Sequence, residues 1–102
     1  MKKISKCSKF EIAWLAGIIE GEGTFYLNNK NSIVLEIGMT DLDIIKRISN
    51  IFNRNIITLI PKNKTYKKMY RVRLSGEKAL QISKKILPFM GERRSLKIKK
   101  FI

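Results

Sequence analysis

Between Ala13 and Gly23 the chain reads AWLAGIIEGEG, an apolar helical pattern with a small residue at every fourth position, closing on two carboxylates separated by one glycine. Ala13, Gly17 and Gly21 fall on one stripe of such a helix. A glycine inside a helix costs about 1 kcal/mol relative to alanine, so a packing reason is expected, and the simplest is a second helix touching there. Glu20 and Glu22 place negative charge at the helix carboxyl end, where the macrodipole disfavours it, so positive charge is expected close by.

Size and charge narrow the setting. A chain of 102 residues has room for one hydrophobic core, and a single domain over residues 1–102 is expected. Twenty-two Lys and Arg against eight Asp and Glu give a formal net charge of +14, a balance suited to nucleic acid. With Cys7 the single cysteine and no histidine, an intramolecular disulfide and a Cys/His zinc site are excluded, while oxygen-ligated cations are not. No apolar run nears the roughly 18 residues that span a bilayer, and the start Met1-Lys2-Lys3-Ile4-Ser5-Lys6 has no signal-peptide core behind it. An intracellular protein with no membrane partner is expected.

Ser8 followed three residues later by Glu11 is a capping box, so the first helix should run from about Lys9 to Glu22 with Gly23 as its stop. Residues 24–39 alternate about the turn Asn28-Asn29-Lys30-Asn31, predicting a hairpin with Phe25, Leu27, Ile33, Leu35 and Ile37 toward the core and Ser32, Val34, Glu36 and Gly38 away from it. A second helix, Leu42 to about Phe52, repeats Leu42, Ile45, Ile48 and Phe52 at helical spacing. A second hairpin over residues 55–74 has strands at Asn55–Ile60 and Tyr66–Leu74, joined by a basic turn that holds Lys62 and Lys64. Residues 76–101 should form a helix broken at Pro88 and a short basic helix from Arg93.

The order is αββαββα, an α+β layer in which helices cover one face of an antiparallel sheet. The other face should carry Tyr26, Asn28, Lys30, Ser32, Glu36, Lys67, Arg71 and Arg73, with Lys62 in the adjoining turn. Long basic and amide-bearing side chains suit phosphate and base-edge hydrogen bonds, and a two-stranded ribbon fits the major groove of B-form DNA. The structural alternative is an ordinary solvated sheet face. Trp14 reads as filler of the core or of a helix interface rather than a base-stacking platform, and the tail Lys97-Ile98-Lys99-Lys100 as a phosphate clamp or a solvated end.

The segment Leu15-Ala16-Gly17-Ile18-Ile19-Glu20-Gly21-Glu22-Gly23 resembles the LAGLIDADG motif of homing endonucleases, with Glu in both Asp places. The αββαββα order and the Leu87-Pro88-Phe89-Met90 segment before a basic helix are similar to the same family, from about Phe10 to Lys100. The resemblance implies a protomer whose sheet forms a DNA-binding saddle with helices behind it. It implies that two motif helices pack at a twofold axis through Ala13, Gly17, Glu20 and Gly21. It further implies that Glu22 and the Gly21 carbonyl bind a divalent cation, Mg²⁺ or Mn²⁺. A basic residue of the active-site periphery falls at Arg93, with Arg94 as the one-residue alternative.

One motif in one chain then implies half a site, so a homodimer cutting both strands of a pseudo-palindromic double-stranded DNA is expected. The alternative is a non-cleaving protein of the same fold, an intron RNA maturase or a DNA-binding regulator.

Overall fold

The computed structural model describes residues 7–63 and 65–102; Lys64 of the basic turn and residues 1–6, where the sequence reading placed no signal peptide, lie outside them. Ser8 opens the first helix, α1 (Lys9–Glu22), through both halves of the capping box: its Oγ accepts from the Glu11 N–H and its own N–H donates to the Glu11 carboxylate, each at 3.1 Å. Two strands follow, β1 (Gly23–Leu27) and β2 (Ile33–Met39), joined by a turn in which the Asn28 Oδ1 accepts from the backbone N–H groups of Lys30 and Ser32. Helix α2 (Leu42–Phe52) ends on Asn53 in the left-handed conformation. A second hairpin, β3 (Ile57–Leu59) and β4 (Met69–Ser75), leads to α3 (Glu77–Ile86). Pro88 then sits in a 3₁₀ turn at Leu87–Phe89, before α4 (Glu92–Lys99).

The strands form one antiparallel sheet in the order β1-β2-β4-β3, so the two hairpins meet along β2 and β4. Cross-strand register aligns Phe25, Leu35 and Leu74, and beside them Ile37 and Val72, on the face toward the helices. There they join Leu15 and Ile19 of α1, Ile45 and Ile48 of α2, Ile82 and Ile86 of α3, and Ile98 of α4 in one apolar core. Fully burying each such side chain contributes about 1.5–3 kcal/mol, and Ile98 is the one that anchors α4. Buried Ser83 is satisfied by donating to the Ala79 carbonyl at 2.7 Å.

Several sequence expectations need correction. Leu27 keeps the inward parity of Phe25 but ends an edge strand and is 49% exposed. Val34 has outward parity and is nevertheless buried, because it lies on a central strand between Tyr26 of β1 and Ser75 of β4. In α2 Ile51 takes the buried position expected of Leu42, which is half-exposed at the first turn.

The second hairpin is shorter than its β-branched composition suggests. Pro61 and the lysine-rich stretch favour a loop, where the Asn63 side chain accepts from the Thr65 N–H at 3.0 Å. Lys67 therefore lies in that loop, outside the strand, and does not continue the row of Arg71 and Arg73.

Gly23 ends α1 for a different reason from the one expected. Its φ of −84° and ψ of 149° are ordinary extended values, so no left-handed turn is involved. A Cβ there would come within 2.7 Å of Ile19 Cγ2 and 2.8 Å of the Ile19 carbonyl oxygen. Glycine is required because the strand leaves the helix at too close a distance for a side chain.

Candidate functional site

Helix α1 turns Ile12, Leu15, Ala16 and Ile19 into the core. Its other side carries Phe10, which is 89% exposed, followed by the exposed Ala13, Gly17, Glu20 and Gly21. A Cβ built on Gly17 or Gly21 would meet nothing within 4 Å among the described residues, so their packing calls for glycine at neither position. Trp14 is half-buried against the core, and the Arg47 guanidinium of α2 lies 4.1 Å from its ring centroid. It is a packing element between two helices, in line with its reading as filler.

The bare stripe leads directly to the acidic end of the helix. The positive charge that this end calls for comes from α4: Arg94 donates from Nε to the Glu20 carbonyl oxygen at 3.0 Å and from Nη1 to the Gly23 carbonyl oxygen. The last carbonyls of a helix lack intrahelical partners, and the guanidinium satisfies one of them at Glu20 and the first carbonyl of β1 at Gly23 while opposing the negative end of the dipole. The Glu20 carboxylate accepts from the Gly91 N–H, the N-cap of α4, at 3.3 Å. Glu22 is exposed, and its side chain makes no hydrogen bond or ion pair among the described residues.

Beside this helix end opens a cleft of about 480 Å³, lined by Gly23, Thr24, Arg93, Arg94, Lys97 and Lys100 among others. Four cations and no carboxylate line it, which suits a phosphate ester. Both arginines named by the sequence reach this place with different work: Arg94 is held by backbone carbonyls, while Arg93 is exposed to the cleft.

The residues present fit a divalent cation of the hard, oxygen-seeking kind. The Glu22 carboxylate and the Gly21 carbonyl stand at the negative end of α1, while Arg94 takes the carbonyls on either side of them, at Glu20 and Gly23. Among the described residues no three Asp, Glu, Cys or His side chains cluster for a metal. One or two carboxylates, completed by water and substrate phosphate, are what Mg²⁺ commonly uses.

On the outer sheet face four of the sequence-predicted residues come together. The Tyr26 hydroxyl donates to Glu36 Oε1 at 3.2 Å, Arg73 Nε donates to the same oxygen at 2.5 Å, and Arg71 Nε lies 3.5 Å from Oε2. Cross-strand register makes the cluster, since Glu36 faces Arg73 directly and Arg71 lies opposite Gly38, two positions along. Hydrogen bonding to Glu36, then its charge, raises the Arg73 pKa above its already high ordinary value. Asn28, by contrast, has its carbonyl oxygen engaged in its own turn; Lys30 stands exposed at that tip, Ser32 half-exposed beside it, and Lys62 and Lys67 exposed in the 60–68 loop. Thr24, missed by sequence reasoning, faces Glu36 across the β1–β2 ladder and also lines the basic cleft. Its alternation with Phe25 was the available signal.

A helix whose exposed flank is built of small residues, an acidic end, and a four-stranded sheet with helices on one face make up a fold of the homing-endonuclease type. Residues 9–87 match the family described as LAGLIDADG-like domain, and the chain belongs to that family. Among solved structures it is similar to the homing endonuclease I-CvuI in complex with its target in the presence of Ca. That match has a TM-score of 0.57 and 18% identity, over 90% of this chain and 68% of that one. It is also similar to the archaeal intron-encoded homing endonuclease I-Vdi141I complexed with DNA, with a TM-score of 0.62 and 16% identity, over 89% of this chain and 65% of that one. The chain thus spans about two thirds of the length of each. No curated protein matches it. No helix among the described residues is long and apolar enough to cross a membrane.

Proposed function

We propose that this chain is a divalent-metal-dependent, site-specific DNA endonuclease that works inside the cell as a homodimer on a pseudo-palindromic target. The observation that carries the reading is the outward face of α1. Exposed Phe10, Ala13, Gly17 and Gly21 leave a helix surface without a partner among the described residues, and that surface ends at the Glu22 carboxylate, unengaged among the same residues. Pairing two copies there would hide the apolar stripe and bring two acidic ends together. Of the two similar structures, one is described as complexed with DNA and the other as in complex with its target in the presence of Ca.

Glu22 and the Gly21 carbonyl would hold Mg²⁺ or Mn²⁺, and Arg94 keeps the helix end that presents them in place. The ion, when bound, supplies charge neutralisation at the phosphate and a more acidic water. Arg93 faces the cleft with a guanidinium fork matched to phosphate oxygens and would stabilise the charge that develops there. Lys97 and Lys100 extend the same positive wall. Tyr26, Glu36, Arg71 and Arg73 would face base edges, and Asn28, Lys30, Ser32, Lys62 and Lys67 the flanking backbone.

Glu22→Gln tests the reading. Mg²⁺-dependent cutting of a duplex selected from a randomised library should disappear, with DNA binding and folding retained. A wild-type protein that binds duplex DNA or a structured intron RNA but cuts no duplex at any divalent-ion concentration would instead be a regulator or splicing maturase.

A further inference from the structure

The Glu36 cluster carries an inference about what the sheet reads. A carboxylate at the centre of a basic face works against phosphate attraction, because it offsets part of the charge of Arg71 and Arg73. Its effect is geometric. Arg73 gives its Nε–H to Glu36 Oε1, so the side of the guanidinium is occupied and only the two Nη groups remain for a ligand. The Tyr26 hydroxyl on the same oxygen and Arg71 against the other oxygen hold the carboxylate from both flanking strands. Arg73 nevertheless keeps its side chain 49% exposed, against 19% for Glu36, so the locked fork points its free end outward.

A pair of parallel donors held end-on matches the N7 and O6 acceptors on the major-groove edge of guanine. We propose that Arg73 is a guanine-reading, specificity-determining residue, and that Glu36, steadied by Tyr26, is the positioning residue that aims it. The inference rests on the sheet being a double-stranded DNA interface, as proposed above. A-form RNA would not serve, since side chains do not read its deep, narrow major groove.

The test is selection of bound duplexes from a randomised pool by the full chain, comparing wild type with Arg73→Lys and Glu36→Gln, together with the salt dependence of binding to the selected duplex. Wild type should enrich guanine at a fixed position. Arg73→Lys keeps the charge but loses the fork, so it should lose that preference by roughly tenfold with the salt slope unchanged. Glu36→Gln should weaken the same preference while raising affinity for random duplex, as the freed guanidinium turns to phosphate. Both sites are on the surface, and thermal melts check that the variants fold.

A uniform loss across all duplexes in Arg73→Lys overturns the proposal, since Arg73 would then be a phosphate contact. So does a cytosine preference that survives Arg73→Lys and vanishes in Glu36→Gln, because the carboxylate would then be the reader. If wild type binds no duplex at all, the DNA reading falls with it. If it binds with the guanine preference but never cuts, the inference stands and the nuclease proposal falls.

Discussion

Arg94 on α4 donates to the backbone carbonyl of Glu20, a residue 74 positions earlier in the chain, at 3.0 Å. With its second bond to the Gly23 carbonyl, it ties the acidic end of α1 to a helix whose own place is fixed by buried Ile98. The last turn of α1 is thus held by a long-range contact where a local cap would have been expected.

Removing that contact should be measurable. Arg94→Met leaves the Glu20 and Gly23 carbonyls at the helix-to-strand junction without their charged donor and is expected to cost about 1–3 kcal/mol, read from chemical denaturation. Arg94→Lys should recover only part of this, because an ammonium cannot span two carbonyls with a planar fork.

The glycines of the motif should divide into two kinds. Gly23→Ala must push against Ile19 and is expected to destabilise by about 1–3 kcal/mol, although its backbone angles suit any residue. Gly17→Ala meets open space and should stabilise the isolated chain by up to about 1 kcal/mol through helix propensity. Paired melting curves separate the two cases.

Gly17→Leu should leave the protomer fold intact and shift sedimentation from dimer to monomer. Wild-type protein that sediments as a monomer at every concentration would remove the basis for a shared site.

Chelation should stop DNA cutting and leave the far-ultraviolet circular dichroism spectrum unchanged, since the described fold is held by an apolar core. Adding back Mg²⁺ or Mn²⁺ should restore cutting. Loss of helix signal on chelation would mean that the ion is structural.

Local chemistry made much of the fold legible. The Ser8–Glu11 box set the start of α1, and alternation set the inward faces of β2 and β4, because both depend on residues a few positions apart. Alternation also assembled Tyr26, Glu36, Arg71 and Arg73 on one face, but the ion pairing within that set required the β2–β4 register. Burial at Leu27 and Val34 was misread because it depends on neighbouring strands and covering helices as well as parity. The different duties of Arg93 and Arg94 were equally hidden, since adjacent residues of one helix diverge by about 100° in direction and only the packing of α4 decides which meets α1.

The bare flank of α1 has a wider consequence. Along Ala13, Gly17 and Gly21 a surface that invites contact by lacking side chains carries little information about who arrives, since small residues demand no identical mate. Under the pairing proposed, a diverged sibling with an equally smooth flank would fit as well as a twin. Each half could then evolve its own vocabulary of bases, and the composite would address an asymmetric sequence without any change at the seam.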